Sequence, residues 1–303
     1  MKNAFSVFVF GKYERYLPYY VYSIEKAYPN TDVIIFYNSI LSLKIKRNLK
    51  GKPHVIVYEE FYKEYNYFDN YKMYGGGGLT LLRYLIPEEY FKGYQNVYFG
   101  DVDILILKEP ENLFHFHEIQ AKKSNLPFSN KVRLLETGAL SERLTGLHFV
   151  VVKSYFAKIN KVIIDILAKK TVREQLLVDI RRDEELLYAI NKLAFNFSPQ
   201  SLIHNKVPLH GVHFGLFRSS RRIDKPQIEK DSLLSYQEIK KQLAELVEDK
   251  DFKIILYQFF NMEMIKLLVL LELPIPFFLK IKYKWVTTNF FRIFRKLLNK
   301  IKK

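Results

Sequence analysis

Short apolar runs rich in β-branched and aromatic residues alternate with helical segments from the N-terminus onward, and that order narrows the folds open to the chain. Phe5 to Phe10 reads as a strand, Leu17 to Ala27 as a helix, and Asp32 to Tyr37 as a second strand after the Pro29-Asn30 turn signal. His54 to Tyr58 adds a strand behind Gly51 and Pro53, and Gly75 to Gly78 opens a segment Leu79 to Leu85 that Pro87 follows. Asn96 to Leu107 then reads as an apolar strand interrupted by two aspartates. Leu147 to Val152 reads as a strand, Ala157 to Lys169 and Asp183 to Leu193 as helices, and Val207 to Phe217 as a strand-like stretch. This alternation predicts an α/β sandwich, a mostly parallel sheet flanked by helices. No repeat is apparent, so a solenoid is excluded.

Composition removes other classes. Of 303 residues 49% are apolar, while Gly (12) and Pro (11) are few, so neither disorder nor a collagen-like repeat describes the whole. With no cysteine, a disulfide scaffold and cysteine-built zinc sites are both excluded. Met1 and Lys2 run straight into Phe5 to Phe10, which is too short for a signal-peptide core and lacks a small-residue cleavage site. A cytoplasmic fold is expected.

The 48 Lys and Arg exceed the 32 Asp and Glu by 16, and nine of those cations lie between Phe277 and Lys303, where there is no acid. In that tail Val286, Phe290, Ile293, Phe294, Leu297, Leu298 and Ile301 recur at helical spacing with Arg and Lys between them, and Tyr283 and Trp285 stand at its start. Such a helix suits the headgroup region of an anionic membrane, so a peripheral position on the inner face of the cell membrane is expected. Ile265 to Leu279 is apolar, but Lys266, Glu272, Pro274 and Pro276 make it a poor transmembrane span. The chain turns polar near Ser219 to Lys230. A catalytic domain over 1–225 and a helical region with the basic tail over 226–303 are expected.

The sharpest feature is Gly100-Asp101-Val102-Asp103 inside the run Val97 to Leu107. Carboxylates at i and i+2 fall on one side of an extended chain, and an apolar strand tolerates both only if something offsets their desolvation and repulsion. A hard divalent cation such as Mn2+ or Mg2+ does so, and can bridge a diphosphate.

Five pieces in order carry a resemblance: Leu82-Arg83-Tyr84-Leu85-Ile86-Pro87, Asp101-Val102-Asp103, Leu144-Thr145-Gly146-Leu147-His148-Phe149, Asp183-Glu184-Glu185-Leu186-Leu187, and His210-Gly211-Val212-His213-Phe214-Gly215-Leu216-Phe217-Arg218. Over residues 1 to about 220 the chain resembles the nucleotide-sugar-dependent glycosyltransferases of the GT-A fold, particularly family 8 and related bacterial polysaccharide enzymes. That family shows a late His-x-x-Gly-x-x-Lys-Pro-Trp element, whose spacing is altered here and whose Lys-Pro-Trp ending is missing.

The resemblance implies transfer of a hexose from a nucleotide-diphosphate sugar, a UDP-sugar first, to a glycan or glycolipid acceptor of the bacterial surface. It implies that Asp101 and Asp103 hold the cation with a late histidine, His213 ahead of His210. Arg218 would replace the missing lysine as a phosphate clamp, and Arg83 would contact the donor. Tyr13, just past the first strand, would stack on the nucleobase. Thr145 and Gly146 would approach the sugar, and Asp183 and Glu184 would face the reacting sugar and acceptor.

Two rivals carry less of the sequence. An Asp-x-Asp-x-Thr phosphatase places its motif near the N-terminus, whereas the residue two beyond Asp103 is Leu105. Nucleic-acid binding is suggested by the isoelectric point near 9.6, but the positive charge is gathered in the tail, so no nucleic-acid partner is expected. Gly75 to Gly78 lacks the Lys-Thr ending of a phosphate-binding P-loop.

Overall fold

The first strand, β1 (Lys2–Val9), is buried from Ala4 onward on both its faces, which places it inside a covered parallel sheet. The molecule is described here from a computed structural model, for residues 2–73, 76–218, 225–229, 232–276, 279, 281, 283 and 284. Beside β1 lies β2 (Asp32–Tyr37), and beside that β3 (Val55–Tyr58), all parallel, with Val7 opposite Ile35 and Ile35 opposite Val57. After a two-residue ladder of Lys72–Met73 (β4) with Gly76–Gly77 (β5), the chain forms a 3-10 turn over Gly78–Tyr84. It then returns to the other side of β1 as β6 (Tyr94–Phe99), again parallel.

Asn96 to Leu107 is not one strand. β6 stops at Phe99, Gly100 donates its amide to Ser6 O (3.1 Å), and a turn closed by Ile104 N–H to Asp101 O (3.2 Å) leads into β7 (Ile104–Ile106). The two aspartates therefore sit on a turn beyond the strand. The cost of holding two carboxylates within a sheet covered on both faces accounts for the chain leaving the sheet there.

Next along the chain come β8 (Phe128–Ser129), the hairpin β9 (Val132–Leu134) with β10 (Leu140–Leu144), and β11 (His148–Val151), of which β8 and β11 complete the sheet. The hairpin stands apart as its own ladder, and the main order is β3-β2-β1-β6-β11-β8, with β11 antiparallel to both neighbours. A further short ladder pairs β7 with β12 (Gly211–His213).

Helices cover the faces. α1 (Leu17–Ala27) starts with a proline in its first turn and buries Leu17, Tyr20, Val21 and Ile24 at i, i+3, i+4 and i+7. α2 (Leu43–Leu49) leads towards the edge strand β3, and α3 (Leu113–Lys123) is capped by the Asn112 side chain. α4 (Val152–Ala168) buries Tyr155, Ile159, Ile163 and Ile166, a helical stripe over the sheet. α5 (Lys170–Leu177) and α6 (Asp183–Phe195) follow. The expected α/β architecture, mostly parallel and flanked by helices, is the one observed.

Two compact units divide at Val212: the described residues up to it, with Ser232 and Leu233, form one, and those from His213 onward form the other. The second is helical. α7 (Lys225–Glu229) is short, α8 (Tyr236–Glu248) opens on a Ser235–Glu238 capping box, and α9 (Lys250–Gln258) is capped by Asp249. α10 (Met262–Leu270) is capped by Asn261 and ends ahead of Pro274 and Pro276. Among the described residues no helix is long and apolar enough to cross a membrane. The amphipathic tail beyond Trp285 lies outside the described residues.

Candidate functional site

β1 feeds the chain outward on one side and β6 on the other, so the gap between their carboxyl ends is the point where strand order reverses. Ligands of open α/β sheets bind in that crevice. Tyr13 follows β1 there, in the 3-10 turn Gly11–Tyr16, half-buried with its ring 5.3 Å from that of Phe10 and 5.9 Å from that of Tyr16. Asp101 and Asp103 follow β6. Val102 is buried beneath the turn, Asp103 is buried and Asp101 is partly open.

Arg83 is the hub. Its turn is anchored by buried Leu81, Leu82, Tyr84 and Leu85, which leaves the guanidinium to lie across the aspartate turn. Nη1 donates to Asp101 Oδ1, Nη2 donates to the Tyr84 hydroxyl and to Gly146 O (3.0 Å), and Nε lies 3.1 Å from Asp183 Oδ2. Burial alone would lower the Arg83 pKa; Asp183, Tyr84 and Asp101 together carry it well above its ordinary value. One cation thus ties three separate chain segments together.

Asp183 opens α6, with Oδ1 accepting the Glu184 amide at 3.0 Å. Burial is the main cause that lifts its carboxyl above the usual range, with Asp101 and Glu184 adding and Arg83 opposing. A base needs a raised pKa of this kind.

Several expected residues have protein partners that account for them. A Cβ on Gly146 would stand 2.6 Å from Arg83 Nη2, so a side chain there would displace the guanidinium from its present position. The Thr145 hydroxyl donates to Asn130 Oδ1 (2.8 Å). Glu184 accepts from Arg133 (2.6 Å) with one oxygen and from Arg143 with the other, and Glu185 accepts the amides of Arg181 and Arg182 at 2.7 and 3.1 Å. Glu184 therefore fastens the β9–β10 hairpin to the start of α6.

His210 is corrected. It is fully buried, with Nε2 2.8 Å from His117 Nε2 and Nδ1 2.7 Å from Glu109 Oε2, and His117 Nδ1 lies 2.9 Å from Ser129 Oγ. Burial pushes the His210 pKa down to about 3 and the Glu109 carboxyl up to about 7. Both ring nitrogens are spent in the core, so His210 has none for a metal. It precedes Gly211, whose φ of +155° and approach to Leu105 O (2.0 Å from a notional Cβ) only glycine allows. The strand it begins ends at His213. Among the described residues Asp101, Asp103 and His213 form a group in which each offers a ligand atom within 4.8 Å of the others. Two carboxylates and an imidazole suit a hard or borderline divalent cation. Arg218 is exposed, its amide donating to Gly215 O at 3.3 Å.

Asn130 escaped the sequence reading. It is fully buried: Oδ1 accepts the Thr145 and Lys131 amides at 2.9 and 2.6 Å, and Nδ2 donates to the carbonyls of Thr145 and Leu147 at 3.2 and 3.0 Å. It holds the loop that presents Gly146. Nothing in Ser129-Asn130-Lys131 marks it; only its position between two chain segments does.

No protein-family model matches the sequence, and no curated protein does. Among solved structures the chain is similar to the galactosyltransferase LgtC in complex with donor and acceptor sugar analogues, at 15% identity over 63% of this chain and 70% of that one, TM-score 0.44. It is similar to an active-site mutant of LgtC at 12% identity, over 80% and 95% of the two chains, TM-score 0.45. It is also similar to the glycosyltransferase GlyE of Streptococcus pneumoniae TIGR4, at 12% identity over 65% of this chain and 44% of that one, TM-score 0.41.

Proposed function

We propose that the chain is a metal-dependent glycosyltransferase that moves a hexose from a UDP-sugar to a glycan or glycolipid acceptor of the bacterial surface. The observation that carries this reading is Arg83, held against Asp101 and Asp183 at the strand-order reversal, where it joins the aspartate turn to a carboxyl with a raised pKa. Asp101, Asp103 and His213 would hold Mn2+ or Mg2+, which when bound neutralises charge on a diphosphate leaving group. Arg218 would clamp the phosphates and Tyr13 would stack on the base.

Arg83 acts by position. Its positive charge is fixed in place before reaction, so it stabilises developing anionic charge without reorganising. Asp183 would take the proton of the acceptor hydroxyl in an inverting reaction; a retaining one would not need it there. The loop of Thr145 and Gly146, pinned by Asn130, would line the sugar. The basic tail from Phe277 to Lys303 would dock the protein peripherally on the inner face of the membrane, bringing the site to its acceptor.

The test is release of UDP from a panel of UDP-hexoses with and without Mn2+. Manganese-dependent release that Asp103→Asn removes supports the reading. Absence of release and of metal-dependent UDP binding with every donor sinks it.

A further inference from the structure

A basic, greasy face on α2 and the residues before it has no role in the site. Leu41, Ile45 and Leu49 are buried, so one side of the segment is spent on the fold. On α2 Leu43, Lys44 and Arg47 are exposed, Arg47 one turn beyond the other two, with Lys50 at the end of the helix and Ile40 in the loop before it. Ile40 is 59% exposed and Leu43 is 72% exposed. Beside α2, where its buried and exposed sides meet, opens a cavity of about 430 Å³ lined by Leu41, Leu43, Leu49 and Val57 with Arg47 and Lys50. Its acid, Glu59, is neutralised by Lys46 at 2.8 Å. Neither Arg47 nor Lys50 forms an ion pair among the described residues.

We propose that this face is a docking surface for an anionic phospholipid membrane, in which Ile40 and Leu43 enter the acyl boundary while Lys44, Arg47 and Lys50 meet the headgroups. With Glu14 held by the Ser42 amide, the exposed cations Arg47 and Lys50 select an anionic partner, and two exposed aliphatic side chains beside them select a fluid surface able to receive them. A soluble phosphate would leave both aliphatic residues in water. The patch lies in the first compact unit, so the proposal is independent of the basic tail and of the glycosyltransferase reading.

Because the chain has no cysteine, Ser39→Cys provides a single attachment point for an environment-sensitive fluorophore in the full-length protein. Vesicles of phosphatidylglycerol with phosphatidylcholine are expected to shift its emission to the blue, and brominated acyl chains to quench it. Pure phosphatidylcholine should do neither. At about a fivefold loss per cation removed, Arg47→Gln with Lys50→Gln should weaken the affinity reported at this position about 30-fold. Leu43→Ser should abolish the quenching.

Vesicle binding by sedimentation without a signal at position 39, no binding, or an affinity unmoved by the double variant would each overturn the proposal. A signal produced by glycerophosphate or by an acidic polypeptide, and not by vesicles, would do the same.

Discussion

Acid should destabilise this protein through His148 in a way that a single substitution isolates. Its Nδ1 is 3.1 Å from Asn130 Nδ2 and its Nε2 is 3.1 Å from the Tyr155 hydroxyl. Asn130 Oδ1 accepts two amides and the Thr145 hydroxyl, and Nδ2, whose two hydrogens go to the Thr145 and Leu147 carbonyls, has no lone pair to offer, so His148 Nδ1 faces it without a proton. Only the neutral ring protonated on Nε2 fits. Burial first, then the charges of His117 and Arg83, lower its pKa from 6.5 to about 3.

The unfolded chain therefore binds this proton more readily than the folded one. The stability conferred is complete above the unfolded pKa of 6.5 and is lost as the pH falls towards 3. Between pH 7 and pH 5 the loss is about 2 kcal/mol, reaching about 4 kcal/mol by pH 3. Urea denaturation of the wild type and His148→Gln at pH 7, 6 and 5 measures it, since groups titrating alike in both proteins cancel in the difference. Glutamine costs a fixed amount at every pH, and the gap between the two proteins should close by about 2 kcal/mol at pH 5. Curves that stay parallel would refute the reasoning, because His148 would then be titrating in the folded protein at its ordinary pKa.

Other perturbations probe the hub and its supports. Gly146→Ala forces Arg83 away from a Cβ that would lie 2.6 Å from Nη2, so under the proposed function the rate of UDP release should fall at least about tenfold, about 1.4 kcal/mol in the barrier, as initial rates would show. Asn130→Ala leaves the Thr145 and Lys131 amides without their shared buried acceptor and should cost about 3 kcal/mol in urea denaturation. Glu184→Gln weakens the tie to Arg133 and Arg143 and should cost about 2 kcal/mol. Lost turnover with unchanged stability in that variant would show that Glu184 touches substrate.

The helix Leu17–Ala27 and the strand Asp32–Tyr37 have the limits their residue patterns predict, since local sterics and burial period act over a few residues. The position of Asp101 and Asp103 just beyond an apolar strand was nearly legible too. Their turn was not, because whether a carboxylate may remain in a strand depends on what covers that strand. Gly146 illustrates the same limit: its small size was foreseen, but its reason is a guanidinium 63 residues away in sequence.

Sequence by itself determined the alternation of strands and helices and the chemistry available at each position. Tertiary structure alone decided which of those groups are spent inside the protein. His210 and His213 stand three residues apart, yet the first is sealed between His117 and Glu109 and the second ends the strand near the aspartates. Periodic burial is written in neighbouring residues, whereas a partner for a buried polar group comes from wherever the closed chain brings one.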